Sequence, residues 1–333
     1  MTLAEIARLA GVSRTTASYV VNGKAEEKRI SPETVARVMA VVEKHRYRVD
    51  AQAAALRRGS SRTLGLIVPD LENVSYARLA KRLERGAREQ GYQLLIVGSD
   101  DRPETERDLA LALRAQRCEV LITASSLPPD DPFYAELMAD GLPVIAVDRG
   151  FDPARFACVV SNDGEAAERL TRSVLGEGVA SIAWLDAVPA ISITRERRAG
   201  FHRALAGSDA APLMVCGERY DRDEGARLAR ELLDAHGLPD ALVTASYTLL
   251  DGVFDVLLEQ GGLPPALRLA TFGDSRLLDF LPLPVNSALQ DYDRIAAEAL
   301  RAALAAARGD YTPGETVIAR RLRWRRPERQ AVR

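Results

Sequence analysis

The period of the hydrophobic positions changes along the chain, and the change falls near residue 62. From Leu3 to Ala10 the apolar residues Leu3, Ile6, Ala7, Leu9 and Ala10 recur at the spacing of one helical face. Thr2 stands where an N-cap belongs, three residues ahead of Glu5, as in a capping box. Gly11 offers the positive backbone angle of a sharp turn, and Val12 can plug the gap between two helices. Ser13 is placed to cap a second helix running to about Asn22, with Ala17, Val20 and Val21 inward and Arg14, Thr15, Thr16, Ser18 and Tyr19 outward. Gly23 closes that helix. A third helix is predicted to open at Ser31-Pro32-Glu33, which supplies a cap, a proline at the first helical position and an acid in the first turn. Its Val35, Val38, Met39 and Val42 are expected to complete a three-helix core.

From Thr63 onward, short apolar runs alternate with amphipathic stretches of helical length. TLGLIVPD, QLLIVGSD, EVLITASS, PVIAVDR and ACVVSND are the strand candidates of a first series; SIAWLD, PLMVC, ALVTAS, LRLATFGD and NSALQ form a second. Continuously apolar strands of this kind belong in parallel sheets covered on both faces. Two doubly wound halves in succession leave a cleft between them, with ligands expected beyond the carboxyl ends of the strands.

Composition adds limits. A chain of 333 residues is long enough for at least two compact units. No apolar run approaches the roughly 20 residues of a membrane span, and the start MTLAEIARLA lacks the pattern of a secretory signal, so a cytoplasmic location and no membrane partner are expected. The formal charge of −2 hides an asymmetry: up to Arg62 there are 12 Lys and Arg against 6 Asp and Glu, and beyond it 33 against 41. A basic head on an acidic body suits a protein whose head alone meets phosphate backbones. Arginine outnumbers lysine throughout, which lowers the weight of any single Arg cluster. Cys118, Cys158 and Cys216 are far apart in apolar segments and are read as buried reduced thiols, neither disulfides nor zinc ligands.

The residues just past the strand ends are the candidates for a small-molecule site: Asp70, Asn73, Ser75 and Tyr76; Ser99 and Asp100; Ser125 and Ser126; Asp148 and Arg149; then Arg195, Arg197, Tyr220, Ser246, Tyr247, Gly273 and Asp274. Carboxylates can accept pairs of sugar hydroxyls, Ser and Asn fill remaining bonds, and Arg can clamp a phosphate through parallel donors. Strand-end Asp and Ser also commonly cap the following helix, which is the plainer explanation at each position. No P-loop, GxGxxG, HExxH or GxSxG pattern is present, and His45, His202 and His236 show no metal spacing. Neither an enzyme, a cofactor nor a metal is expected. A sugar-binding protein of the periplasmic type would share the body, but the basic helical head and the missing signal pattern oppose it.

The string LAEIARLAGVSRTTASYVVNG resembles the head of the LacI/GalR repressor family. The resemblance implies an all-α helix-turn-helix head plus an α/β body, the body made of two doubly wound parallel-sheet subdomains of the periplasmic-binding-protein type. It implies that the second helix enters the major groove of a near-palindromic operator, with DNA contacts from Ser13, Arg14, Thr15, Thr16, Ser18, Tyr19, Asn22 and Arg29. Tyr47 to Leu56 looks like that family's hinge helix, although Val49-Asp50 replaces the usual Pro-Asn pair. Leu56 sits at the position of the leucine wedged into the minor groove, and Arg57 beside it would neutralise backbone. The implied division is a DNA-binding domain over 1–48, hinge and linker over 49–61, and an effector-binding and dimerisation domain over 62–333. Within the last, one subdomain would take about 62–160 and 291–320, the other about 161–290 and 321–333.

Asp148, Arg149 and Arg197 occupy positions matching the family's ligand-binding motifs, and Arg323 is expected to approach the same pocket as the chain crosses between subdomains. The terminal RRLRWRRPERQAVR is otherwise read as a solvated tail. PDLENVSY, QGYQLLI, TASSLPPDDPFY, PVIAVDR and ATFGDSRLLDFL are similar to the fructose-responsive branch of the family. That likeness implies a phosphorylated fructose, chiefly fructose 1-phosphate, as the effector that loosens operator binding. A homodimer is implied, with a tetramer as the alternative, although no leucine heptad is present to zip dimers together.

Overall fold

The computed structural model describes residues 1–46 and 60–325. The hinge expectation, with Leu56 and Arg57, and the last residues of the tail lie outside the described residues. The chain forms two compact units, Met1–Ser61 and Arg62–Arg333.

In the first unit three helices form where the caps and glycines place them: α1 Leu3–Leu9, α2 Arg14–Val21 and α3 Pro32–Lys44. Thr2 and Glu5 make the reciprocal capping box, and Ser13 and Ser31 accept from the backbone amides of Thr16 and Thr34. Ile6, Ala7, Ala10, Ala17, Val20 and Val38 are the buried core, small enough for three short helices to approach closely. Two positions differ from the sequence expectation. Leu9 and Met39 are exposed, 43% and 45%, because each lies at the edge of its apolar stripe; Ile30 and Val41 pack against the core instead.

In the second unit twelve strands are β1 Thr63–Val68, β2 Gln93–Gly98, β3 Val120–Thr123, β4 Val144–Val147, β5 Ala157–Ser161, β6 Ser181–Ala187, β7 Ala211–Gly217, β8 Ala241–Thr244, β9 Arg268–Phe272, β10 Val285–Leu289, β11 Gly314–Ile318 and β12 Arg321–Arg323. They build two six-stranded sheets, ordered β11-β5-β4-β3-β1-β2 and β12-β10-β9-β8-β6-β7. Each is a 2-1-3-4-5 parallel sheet extended by one strand from the chain's end. β11 adds in parallel to β5, whereas β12 is antiparallel to β10. The ten central strands are those the apolar runs predict. β11 and β12 are additional, being short and mostly exposed along their length.

The helices of this unit are α4 Val74–Glu89, α5 Pro103–Ala115, α6 Phe133–Ala139, α7 Asp163–Arg172, α8 Ser192–Leu205, α9 Arg222–His236, α10 Tyr247–Glu259 and α11 Tyr292–Ala307. The chain passes between the sheets three times, over residues 162–180, 290–313 and 319–320. Trp184, fully buried, anchors the second core against Phe201 and Phe272. One close approach shapes the site: a Cβ on Gly200 would fall 2.1 Å from the carbonyl of Gly164, so only glycine lets α7 and α8 cross there. That crossing brings Arg197 of α8 against Asp163 of α7.

Two expectations are corrected here. Cys118 and Cys158 are buried, but Cys216 is exposed, because it lies on the outward-facing alternation of edge strand β7. The arginine-rich stretch from Arg320 is no solvated tail as far as Arg325: it forms β12, and Arg323 and Arg325 pair with Asp274 and Asp279. No helix among the described residues is long and apolar enough to cross a membrane.

Candidate functional site

Two sets of side chains could recognise a ligand, one in each unit. On α2, Arg14 and Thr15 are exposed, while Thr16, Ser18 and Tyr19 are half-buried against the helix surface. Ser13 and Thr16 bond each other through their hydroxyls at 2.8 Å, and Asn22 donates to the Ser18 carbonyl at 2.6 Å, so both ends of the helix are tied by candidate residues. Lys28 lies 5.6 Å over the Tyr19 ring, and Arg29 is exposed with a left-handed φ of 51°. The exposed face therefore carries short hydroxyls, an amide and a guanidinium, groups that can bond base edges and phosphates.

In the second unit, a narrow cavity opens at the carboxyl ends of the strands, where the two sheets face each other. The reversal of strand order between β2-β1 and β3-β4 sends successive helices to opposite faces and leaves this crevice open. Asn73, Ser75, Tyr76, Asp148, Arg149, Arg197, Tyr220 and Ser246, all named from the sequence, line it together. Asn73 and Ser246 also cap α4 and α10, so the plain and the functional explanations apply at once.

Three arginines meet three aspartates around this cavity. Arg197 donates from Nε to Asp163 at 2.5 Å and from Nη1 to the Ala245 carbonyl at 2.7 Å. Arg320 reaches Asp163 at 3.1 Å and Asp148 at 3.7 Å. Arg149 donates from Nη1 to Asp101 at 2.6 Å and to Ser126 at 3.1 Å. All six are nine-tenths or more buried at the side chain. The Arg197 and Arg320 guanidiniums lie 4.3 and 5.1 Å from the same Phe272 ring, which ties the charges to the aromatic core.

Electrostatics follow from this pairing. Burial alone would push Arg149 and Arg197 down, but the facing carboxylates Asp101 and Asp163 outweigh it, and both stay charged above the ordinary arginine range. Burial likewise opposes charge on Asp101, yet Arg149 holds that carboxyl below its usual value. Burial raises the Tyr220 phenol to about 12, and its hydroxyl shares a 2.7 Å bond with Thr194. Asp148 has a left-handed φ of 62° and is held there by the Tyr76 hydroxyl at 2.9 Å and Gln290 at 2.6 Å. A non-glycine residue in that region is strained unless its surroundings impose it, and such strain gathers at binding sites.

Two buried donors, Nε of Arg149 and Nε of Arg320, have no partner among the described residues. An unsatisfied donor on a charged group costs about 1–3 kcal/mol or more, so the cavity is chemically suited to an anion with several acceptor oxygens.

Eight expected residues lie outside the lining: Asp70, Asp100, Ser126 and Arg195, and four more that are committed elsewhere. Ser99 is fully buried and outside the lining. Ser125 accepts from the Leu127 amide and supports Arg149 through its carbonyl, at 3.0 and 3.3 Å. Asp274 is bound up with Ser287, Arg323 and Arg325. Arg323 is exposed, and the cavity is reached by Arg320, three residues earlier, because β12 begins just after the crossing and carries Arg323 away. Sequence reasoning missed Arg320, Gln290, Asp101 and Asp163. Gln290 and Asp163 end two of the predicted strand runs, NSALQ and ACVVSND, so the strand-end rule applied to those two runs would have found them.

The family model described as bacterial regulatory proteins, lacI family, matches residues 2–50, and that described as periplasmic binding proteins and sugar binding domain of the LacI family matches residues 61–271. The chain is 50% identical over 325 residues to the fructose operon regulatory protein of Vibrio cholerae, covering 98% of this chain and 100% of that one. It is 44% identical to the catabolite repressor/activator of Escherichia coli K12 over 92% of each chain. The crystal structure of the Cra transcriptional dual regulator of Pseudomonas putida, solved in complex with fructose 1-phosphate, is 50% identical and superimposes with a TM-score of 0.76, covering 80% of this chain and 99% of that one.

Proposed function

Because the chain belongs to the LacI family of bacterial regulatory proteins and is a DNA-binding, sugar-responsive regulator, we propose that its effector is fructose 1-phosphate and that the effector enters the three-arginine cavity. The observation that carries this is the buried triad of Arg149, Arg197 and Arg320, two of them with an Nε that no described residue satisfies. A sugar hydroxyl offers such donors only a neutral acceptor, whereas one phosphate presents several strong, charged ones. Arg149, Arg197 and Arg320 meet the phosphate. Asp148 accepts from sugar hydroxyls, with Asn73, Ser75, Tyr76, Tyr220 and Ser246 filling the remaining bonds.

The protein acts in the cytoplasm as a homodimer on a near-palindromic operator; a lac repressor structure of the same fold is a dimer bound to operator. Ser13, Arg14, Thr15, Thr16, Ser18, Tyr19, Asn22 and Arg29 face the major groove, and the hinge bearing Leu56 and Arg57 enters the minor groove. Effector in the cleft shifts one subdomain against the other and loosens the paired hinges. Such coupling typically amounts to about 1–3 kcal/mol.

Calorimetric titration of the whole protein with fructose, fructose 1-phosphate, fructose 6-phosphate and fructose 1,6-bisphosphate tests the assignment. Fructose 1-phosphate should bind, unphosphorylated fructose should bind at least about a hundredfold more weakly, and operator release should follow the same order. Equal affinity for fructose and its 1-phosphate excludes a phosphate-binding role for the arginines.

A further inference from the structure

Of the three cavity arginines, Arg149 makes the most side-chain hydrogen bonds. Its Nη1 donates to Asp101 at 2.6 Å, to Ser126 at 3.1 Å and to the Ser125 carbonyl at 3.3 Å, which saturates that nitrogen. The Nε, on the far side of the guanidinium, is buried with no partner among the described residues. A guanidinium anchored through Nη1 still offers its Nε–Nη2 edge, the fork that a phosphate accepts through two parallel bonds. The anchoring carboxylate is not a competitor for that edge, because it occupies a different one.

Asp101 also looks the other way. Its Oδ2 accepts the backbone N–H of Tyr220 at 3.4 Å, and Tyr220 belongs to the second sheet's subdomain, whereas Asp101 follows β2 of the first. Its Oδ1 takes a further bond from the Ser126 hydroxyl at 3.0 Å. Asp100 and Asp101 are consecutive non-glycine residues with left-handed φ, 54° and 53°. Two such residues in a row are costly unless the surroundings fix them. The turn delivers one buried carboxylate to a point where it touches both walls of the cleft.

We propose that Asp101 is a positioning residue for the effector: it fixes Nη1 of Arg149 so that the Nε edge meets the phosphate, and its bond to the Tyr220 amide makes that orientation depend on cleft closure. This rests on the reading of the cavity as a sugar-phosphate site. A cleft that opens loses the Tyr220 bond on Oδ2 and leaves the carboxylate held through Oδ1 alone, by Ser126 and Arg149, so that it can pivot and the guanidinium can turn with it. Anion recognition and subdomain closure are thereby joined at one side chain that need not touch the ligand.

A double-mutant cycle on the full chain tests this, with fructose 1-phosphate as the calorimetric probe against wild type, Asp101→Asn, Arg149→Gln and the double variant. Each single change should weaken binding about tenfold or more, and the double variant should be no more than about threefold weaker than Arg149→Gln alone, because residues acting through one another are not additive. Losses that multiply, or an Asp101→Asn protein that binds as tightly as wild type or more tightly, overturn the proposal. Asp101→Asn leaves Arg149 buried without its counter-charge and can fail to fold. Ser126→Ala keeps both charges and removes one anchor of the carboxylate and one of the guanidinium; it should cost about threefold, and unchanged affinity also overturns the proposal. A wild-type protein that binds no fructose 1-phosphate defeats the effector assignment itself, an outcome distinct from a responsive wild type that Asp101→Asn leaves untouched.

Discussion

The helical unit and the cavity of the larger unit use the same side chain in opposite ways. On and around α2 the candidate cations Arg14 and Arg29 are exposed, and the candidate contacts fall between Ser13 and Arg29 in sequence. Around the cavity, Arg149, Arg197 and Arg320 are buried, each faces an aspartate, and they are drawn from three separate strand connections. An exposed arginine is screened by salt and meets a partner as a movable point of charge. A buried, hydrogen-bonded one is shielded from salt and is fixed in direction by its counter-ion. The first arrangement suits a polyanion read along its length; the second suits one small anion read in a single pose.

The widest separation between the two should appear on changing salt. If the helical unit and hinge neutralise six or more phosphates, operator affinity should fall about a thousandfold between 50 and 200 mM salt, whereas fructose 1-phosphate affinity should change less than about tenfold. Parallel titrations over that range give both slopes, and equal slopes would erase the contrast. Next in size is Arg197→Ala, which removes a cation from the cavity and strands Asp163. Effector affinity should fall about a hundredfold and stability by roughly 3–5 kcal/mol, read by calorimetry and by denaturant unfolding. Wild-type effector response would exclude Arg197 from the anion site.

Within the DNA-binding half, Leu56→Ala should weaken specific binding about tenfold while barely changing nonspecific binding, since a wedge acts on the bent site alone. Equal losses on both kinds of DNA would make residues 50–58 an ordinary linker. The smallest effect is expected from Ser13→Ala, which deletes the cap on α2 and the bond to the Thr16 amide. It should lower the stability of the helical unit by about 1 kcal/mol, seen as an earlier unfolding transition with the larger unit's transition unmoved.

The two regions also differ in how far the chain's order reveals them. Caps and turns are local, so Thr2 with Glu5, Ser13, Gly11 and Ser31 placed all three helices of the first unit without knowledge of its packing. Burial is less local, which is why Leu9 and Met39, apolar and near the right face, turned out exposed. The ten apolar strands were equally plain, since buried parallel strands leave continuous hydrophobic runs. β11 and β12 left no such run because both are largely exposed along their length.

The cavity was half legible. Residues after a recognised strand could be found by the rule that ligands sit beyond strand ends, and ten of them share one lining. Arg320 could not, because it follows an unrecognised strand; the expectation fell on Arg323, which pairs with Asp274 and Asp279 instead. Asp101 was passed over because its meaning comes from Arg149, 48 residues later, and from Tyr220, 119 residues later. Charge partners so far apart in sequence leave no periodic trace.

Everything joining the two units is a coupling between operator and effector, and coupling of that kind must be reciprocal. The direct measurement is the calorimetric affinity of the full-length protein for fructose 1-phosphate, taken with and without saturating operator DNA. Linkage predicts that operator weakens fructose 1-phosphate binding by the same factor, about 5- to 150-fold, by which fructose 1-phosphate weakens operator binding. Identical effector affinities in the two titrations would contradict it.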